Sequence, residues 1–379
     1  MSAAAKTGVP FVDIRAHVLA HRGEIDAAVA RVLDSGWFIL GPEGEAFERE
    51  LAQALSARDA VAVANGTEAL QLGLQALGVG PGDEVVTSPL SAAFTALAIV
   101  AAGARPVFAD LDPRTLNVHP AAVEAAITPR TKVVLPVHLY GHPADMDPLL
   151  EMARARGLFV LEDACQAIGA LYKGRAVGTL CGEKGLGALS FYPTKNLGAL
   201  GDGGALLVND AATAVTLRRL RNGGQSDRYR HELPGMNSRL DEMQAAVLRV
   251  LLRHLASWTD RRRALAGLYR RSLEGVPGLR LLEEQPYARA VFHLFVVRHP
   301  RRDALLAGLA ERGVGTLIHY PLPLHLQPAF ASLGGKPGHC PVAELAAREI
   351  LSLPLYPELR DEQVLRVCEA VREVAAGLA

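Results

Sequence analysis

The chain has only four cysteines in 379 residues, Cys165, Cys181, Cys340 and Cys368, and no two of them form a Cys-x-x-Cys pair. So sparse a set excludes a disulfide-stapled scaffold and fits a reducing compartment. Net charge is missing as well: 40 Lys and Arg balance 40 Asp and Glu, and no chain-wide field draws nucleic acid or anionic lipid. No segment approaches the roughly 20 uninterrupted apolar residues of a membrane helix; the apolar run 96–102 stops at Gly103. The stretch 1–10 lacks the apolar centre of a signal peptide. Internal repeats and low-complexity linkers are absent too. Together these absences predict a cytoplasmic protein that partners neither nucleic acid nor membrane.

What the chain has instead is length and apolar content. With 379 residues, 50% hydrophobic and 21% charged, it can bury a core and divide into about two or three domains. Short β-branched runs at 61–63, 84–87, 106–109, 132–137, 158–161, 188–192 and 205–208 alternate with amphipathic segments such as 67–77 and 92–102. That rhythm predicts an α/β fold, a mostly parallel sheet of about seven strands flanked by helices. After Asn237 a long helical pattern, 240–273, repeats Met243, Ala246, Val247, Val250 and Leu251 at intervals of three and four. A helix of that length can join two domains. The runs 291–297, 303–311, 315–318 and 361–376 then predict a smaller C-terminal α+β domain. The expected division is a large domain over 1–250 and a smaller one over 251–379. The arginines Arg261, Arg262, Arg263, Arg270 and Arg271 read as a solvated helix face.

Three short strings carry chemistry. Asp163 follows the apolar run 158–161 and falls at the carboxyl end of a strand, where open α/β sheets hold their ligands; as a loop aspartate it would need no partner. Lys195 ends Ser190-Phe191-Tyr192-Pro193-Thr194-Lys195 and is followed by Gly198, Gly201, Gly203 and Gly204. Pro193 stops the strand, so Lys195 lies in a turn. A partly desolvated lysine there can lose its proton and attack a carbonyl, while an ordinary surface lysine satisfies the same pattern. Third, Asn65-Gly66-Thr67 is a strand-to-helix turn whose free N–H groups and Thr67 hydroxyl could hold a phosphate, or in which Thr67 is a plain helix cap. A phosphate cradle, a strand-end carboxylate and a turn lysine are what a phosphorylated aldehyde cofactor requires.

The same strings, Asn65-Gly66-Thr67, Glu162-Asp163-Ala164-Cys165-Gln166 and Ser190 to Lys195, resemble the DegT/StrS-type sugar aminotransferases, a branch of the fold-type I pyridoxal phosphate enzymes. The resemblance extends over nearly the whole chain. It takes in Ile39-Leu40-Gly41-Pro42, Gly235-Met236-Asn237-Ser238-Arg239-Leu240, His319-Tyr320-Pro321-Leu322-Pro323-Leu324-His325 and Leu353-Pro354-Leu355-Tyr356-Pro357. It implies that Lys195 forms the Schiff base with pyridoxal 5'-phosphate and relays the proton. Asp163 would face the pyridine nitrogen, and Gln166 the phenolic oxygen. Gly66, Thr67 and Ser190 would cradle the phosphate, and Asn237 would reach it from the neighbouring subunit of a homodimer. The large domain would bind the cofactor.

One stretch departs from the family pattern. Where members place an aromatic ring over the cofactor, this chain has Ala92, with Phe94 two residues later. Phe94 is therefore either a cofactor contact or a core residue. His319 and Tyr320 are expected in the substrate pocket. A metal centre is not expected, because Pro321 and Pro323 break the spacing that would aim His319 and His325 at one ion, and Cys165 reads as a small buried thiol. The resemblance implies transfer of an amino group, from glutamate, to a nucleotide-linked keto sugar. The string around His319 is most similar to the 3-keto enzymes, with 4-keto sugars, keto-cyclitols and aromatic acids as alternatives. Relatives with histidine at the lysine position dehydrate sugars, and Lys195 argues against that reaction. A non-catalytic regulator of the same fold is the reading from a different class.

Overall fold

Seven strands pair into one sheet in the computed structural model of the chain, which describes residues 8–182 and 185–378. Residues 1–7 of the N-terminal stretch read above lie outside the described residues. The strand order is Asp59–Val63, Gly204–Val208, Gly185–Ser190, Phe159–Asp163, Thr131–Leu135, Glu84–Thr87, Arg105–Phe108. From Gly185–Ser190 to Arg105–Phe108 every pairing is parallel. Gly204–Val208 runs against both of its neighbours, a reversal that strand patterning alone does not carry. Each expected strand is present.

These strands are buried on both faces, as a sheet covered by helices on each side requires. Consecutive residues alternate between two cores: Val86, Val134, Val160 and Leu207 pack in one, and Val85, Val133, Leu161 and Leu206 in the other. The same alternation separates two neighbouring carboxylates. Glu162 turns into the first core, where it meets His138 Nε2 at 3.0 Å and accepts from the Gly178 and Leu180 amides at 2.6 and 2.8 Å. Asp163 faces the other way, at the carboxyl edge of the sheet.

The helical pattern over 240–273 is two helices, Glu242–Leu252 and Leu255–Leu273, parted at Arg253 and His254. No proline or glycine causes the break. The first helix packs Ala245, Ala246, Leu248 and Leu251 into the large sheet's core, whereas Leu265, Ala266, Tyr269 and Leu273 of the second belong to a third core. One straight axis does not serve both. The third core gathers Phe295, Val297, Leu351 and Leu353 from a three-stranded antiparallel sheet, together with Val364, Val367 and Val371 of the helix Asp361–Ala376. Val9 joins it through a bridge to Val314.

The arginine face is not simply solvated. Arg262 is buried, donates to the Leu355 carbonyl at 2.9 Å, and is lowered to about 10 by its burial. Arg263 pairs with Glu284 at 2.6 Å, and Arg261 donates to the Leu359 carbonyl at 2.6 Å. The second helix uses these donors to fasten the chain that returns past it. Among the described residues no helix is long and apolar enough to cross a membrane.

Candidate active site

The carboxyl ends of the parallel strands form one edge, and the residues singled out in the sequence collect there. Asp163 is 3% exposed. Its Oδ2 accepts from Thr95 Oγ1 at 2.8 Å and its Oδ1 from the Cys165 amide at 3.2 Å. Thr95 Oγ1 lies 2.9 Å from Ser91 Oγ. A threonine hydroxyl has one proton, and a carboxylate only accepts, so Thr95 donates to Asp163 and Ser91 donates to Thr95. The sequence reading missed both hydroxyls. They sit at the start of the helix Ala93–Ala101 and just before it, and no local signal aims them at a residue 68 positions away.

Lys195 lies in the turn that Pro193 opens, its amide donating to the Tyr192 carbonyl at 2.8 Å. Gly198 is obligatory in that turn, since a Cβ there would stand 2.5 Å from the Pro193 carbonyl oxygen. Asn196 pins the loop by donating to the Val291 carbonyl at 3.0 Å. The Lys195 side chain is half-buried and forms no hydrogen bond or ion pair among the described residues. Burial lowers its pKa, and the nearby Cys165 and Asp163 only partly oppose that. The cost of keeping a charged ammonium in such a place favours the neutral amine, the form that attacks carbonyl carbon. An ordinary surface lysine would show no such shift.

The strand-to-helix turn is built as a cradle. Asn65, not Thr67, is the helix cap: its side chain accepts from the Glu68 amide at 2.9 Å and its carbonyl from the Ala69 amide at 3.0 Å. The Gly66 and Thr67 amides are left without a partner among the described residues. A Cβ on Gly66 would stand 2.7 Å from Ser190 Cβ and 3.1 Å from Cys165 Sγ, so only glycine lets the helix start meet the end of the strand Gly185–Ser190. Two free amides at a helix N-terminus beside a serine hydroxyl suit a phosphate. Cys165 lies between this cradle, Asp163 and Lys195, and burial raises its thiol well above the usual range. It is protonated, as its reading as a small buried thiol implies, and it borders the site.

Gln166 is buried, and its orientation is determined: Oε1 accepts from the Tyr140 amide at 2.8 Å, which leaves Nε2 to donate to the Tyr320 hydroxyl at 3.1 Å. Tyr140 in turn donates its hydroxyl to the His319 carbonyl. His319 Nδ1 meets Ser352 Oγ at 2.9 Å, and its ring stacks on Phe11 with centroids 5.6 Å apart. Burial, aided by the Lys195 charge, lowers His319 to about 4. His319 also borders a cavity of about 240 Å³ with Phe11, Tyr192, Arg262 and His293. His293 is a further residue that sequence reasoning passed over: it is buried, its Nδ1 has no partner among the described residues, and burial together with Lys195 and Arg262 pushes it well below the ordinary imidazole range.

Two further expected site residues are exposed, so Phe94 is not a core residue. Phe94 is 60% exposed and makes no ring contact among the described residues, while Ala92 is the cap of its helix. Asn237 is exposed and bridges Asn222. His325 pairs with Glu344 at 3.0 Å, away from His319.

Comparison with known proteins agrees with this geometry. Residues 20–372 match the DegT/DnrJ/EryC1/StrS aminotransferase family. The chain is 51% identical over 376 residues to the dTDP-3-amino-3,4,6-trideoxy-alpha-D-glucose transaminase of Streptomyces venezuelae, covering 99% of this chain and 98% of that protein. It is 46% identical to the UDP-N-acetyl-3-dehydro-alpha-D-glucosamine 3-aminotransferase of Acidithiobacillus ferrooxidans, covering 98% of this chain and 99% of that one. Its fold is similar to the X-ray structure of S. venezuelae DesV in complex with a ketimine intermediate, with a TM-score of 0.95 and 52% identity over 97% of this chain and 98% of that one. A strand-end carboxylate, an unpartnered turn lysine and a glycine-built anion cradle on this fold have one shared source: the chain belongs to the DegT/DnrJ/EryC1/StrS aminotransferase family.

Proposed function

We propose that the chain uses pyridoxal 5'-phosphate to move an amino group, from glutamate, onto the 3-keto carbon of a nucleotide-linked sugar in amino-sugar biosynthesis. The observation that carries this reading is Lys195, an amine with no hydrogen-bond or ion-pair partner among the described residues and a lowered pKa, set beside Asp163 and the Gly66 cradle. The 3-keto position is supported by the two relatives named for 3-amino sugars.

The residues present fit the cofactor. Gly66, Thr67 and Ser190 would hold its phosphate, Asp163 its ring nitrogen, Gln166 with Tyr320 its phenolic side, and Lys195 its aldehyde carbon. When bound, it supplies an electron sink for negative charge developing on the substrate carbon. The chain's own groups do the rest. Asp163 is oriented by the Thr95 hydroxyl and the Cys165 amide, which directs its charge at one facing donor. Lys195 Nζ, biased toward the neutral amine, takes and returns the proton on substrate carbon. His319 is neutral at physiological pH and adds no second cation beside Lys195; with Tyr320 it would orient the sugar.

Asn237 would complete the cradle of a neighbouring copy. A homodimer is supported by its exposure and by that of Trp37, Phe38, Phe94, Tyr192 and Tyr229; Phe94 would then lie over the cofactor from the open side. The division near residue 250 is part of the same proposal, supported by the separate core of the three-stranded sheet. The test is a screen of nucleotide-linked 3-keto and 4-keto sugars and keto-cyclitols with glutamate, reading the amino product by mass. Amination of the 3-keto sugar is expected. Product from 4-keto sugars or cyclitols alone overturns the substrate, and a purified chain that takes up no coloured cofactor overturns the reaction in favour of a non-catalytic regulator.

A further inference from the structure

Far along the chain from the strings used above, His21, Glu24 and His254 bring one ligand atom each within 4.8 Å of one another. His21 sits between the helices Ile14–Ala20 and Arg22–Ser35, Glu24 is in the first turn of the second of these, and His254 is at the break between Glu242–Leu252 and Leu255–Leu273. Two interruptions 233 residues apart in sequence thus face each other across one carboxylate. Glu24 Oε1 lies 3.7 Å from His21 Nδ1 and 3.3 Å from His254 Nε2, and the two imidazole rings have centroids 4.3 Å apart.

We propose that His21, Glu24 and His254 form a binding site for a divalent transition-metal ion, with Zn²⁺ the ion its N,N,O donor set fits. Donors held about 2.0–2.2 Å from one zinc stand about 3.0 Å apart at a right angle and about 3.5 Å apart at the tetrahedral angle. Of the two separations to Glu24 Oε1, that to His254 lies within the range and that to His21 exceeds it by a few tenths of an ångström, while the two imidazole donors lie within 4.8 Å of each other, so closure on one ion takes a side-chain adjustment on a partly exposed surface. A simple ion pair accounts for less of the arrangement. Glu24 Oε2 already has the Arg253 guanidinium at 3.3 Å, so two further nitrogens around Oε1 are not needed to neutralise it, and His21 Nδ1 is too far for a hydrogen bond. Trp258 packs edge-on against His21 and stacks on His254, with centroids 5.2 and 5.6 Å away. This packing limits the rotation of both rings. With three protein ligands the fourth position is left to water, the arrangement of an exchangeable ion rather than a sealed structural one.

Occupancy would tie the N-terminal helices to the break between the two long ones. That segment matters to the site: His17, one turn before His21, holds Glu358 at 2.7 Å, and both line a small cavity that Lys195 also borders. The ion is thus placed to stiffen a wall of the active site without touching it.

The test uses untagged holoenzyme freed of metal by chelation and desalted, titrated with Co²⁺ and then Zn²⁺. One equivalent of Co²⁺ per chain, with visible d–d absorption that Zn²⁺ abolishes, is expected. His21→Ala and His254→Ala should each weaken binding at least tenfold, while His339→Ala, an exposed histidine elsewhere, leaves it unchanged. Zn²⁺ should raise the unfolding midpoint of the parent and not of the two variants. Absence of a stoichiometric d–d spectrum, or equal Co²⁺ affinity in the parent and both variants, overturns the proposal.

Discussion

The substitution Thr95→Val changes shape little and removes one hydroxyl, and with it one of the two hydrogen bonds that orient Asp163. The lost bond runs to a carboxylate inside the protein, a class that contributes about 1.5–3 kcal/mol. If that orientation is needed throughout the reaction, turnover with glutamate and the accepted keto sugar should fall about ten- to a hundredfold, at tenfold for each 1.36 kcal/mol. Cofactor uptake should persist, because the Gly66 cradle and Lys195 are untouched. The chain of hydroxyls adds a sharper condition. Ser91 reaches Asp163 only through Thr95, so Ser91→Ala should cost less, and the double variant should be no worse than Thr95→Val alone. Steady-state kinetics of the three variants, with bound cofactor measured by its absorbance, make the comparison. Turnover of Thr95→Val within twofold of the parent, or strictly additive losses in the double variant, would refute the relay.

Four further outcomes are expected. Lys195→Met should raise the stability of the cofactor-free protein at neutral pH. A lysine whose folded pKa is lowered destabilises the fold while it is protonated, so the gain should vanish as pH rises past the ordinary lysine value near 10.5, as urea titrations at several pH values would show. His319, lowered from 6.5 to about 4, makes the unfolded chain bind more protons than the folded one between those values. Stability should therefore rise as pH rises from about 4 to 6.5 and be lost as pH falls through that window, and His319→Gln should flatten the dependence. Gly66→Ala introduces a Cβ 2.7 Å from Ser190 Cβ; overpacking of this kind costs about 1–3 kcal/mol, and equilibrium dialysis should find cofactor binding weakened more than the unfolding midpoint. Lys195→Ala and Asn237→Ala homodimers, mixed and allowed to exchange, should recover about a quarter of parental activity, since half the dimers are hybrids with one intact site each. Recovery of nothing, with hybrids demonstrated by pull-down, would place Asn237 outside the neighbour's site.

Much of this protein is legible in local pattern. Strands buried on both faces read as short, nearly continuous apolar runs, which is why 84–87 and 205–208 could be read directly, and Pro193 could only end a strand and place Lys195 in a turn. Asp163 was visible as a candidate because a carboxylate following an apolar run falls at the strand's carboxyl end, where a solvated aspartate and a functional one read alike. What local pattern could not carry is whatever depends on the directions of distant elements. The reversed strand Gly204–Val208 has the same composition as a parallel one, and the break at Arg253 and His254 has no residue that demands it; only two cores with different axes do. Arg262 looks like its exposed neighbours in sequence and differs from them because the chain around Leu355 passes over it. Thr95, Tyr140 and His293 enter the site through contacts with residues far along the chain. Their residue types are as common in cores and helix caps as in active sites, and only the fold determines which residues their polar atoms meet. By itself, then, the sequence determined the strands, the lysine turn and the strand-end aspartate, because each rests on the conformational limits of neighbouring residues. The tertiary structure alone decided which hydroxyls hold that aspartate and how far Lys195 and His319 are desolvated, because orientation and dielectric environment are properties of everything packed around a group.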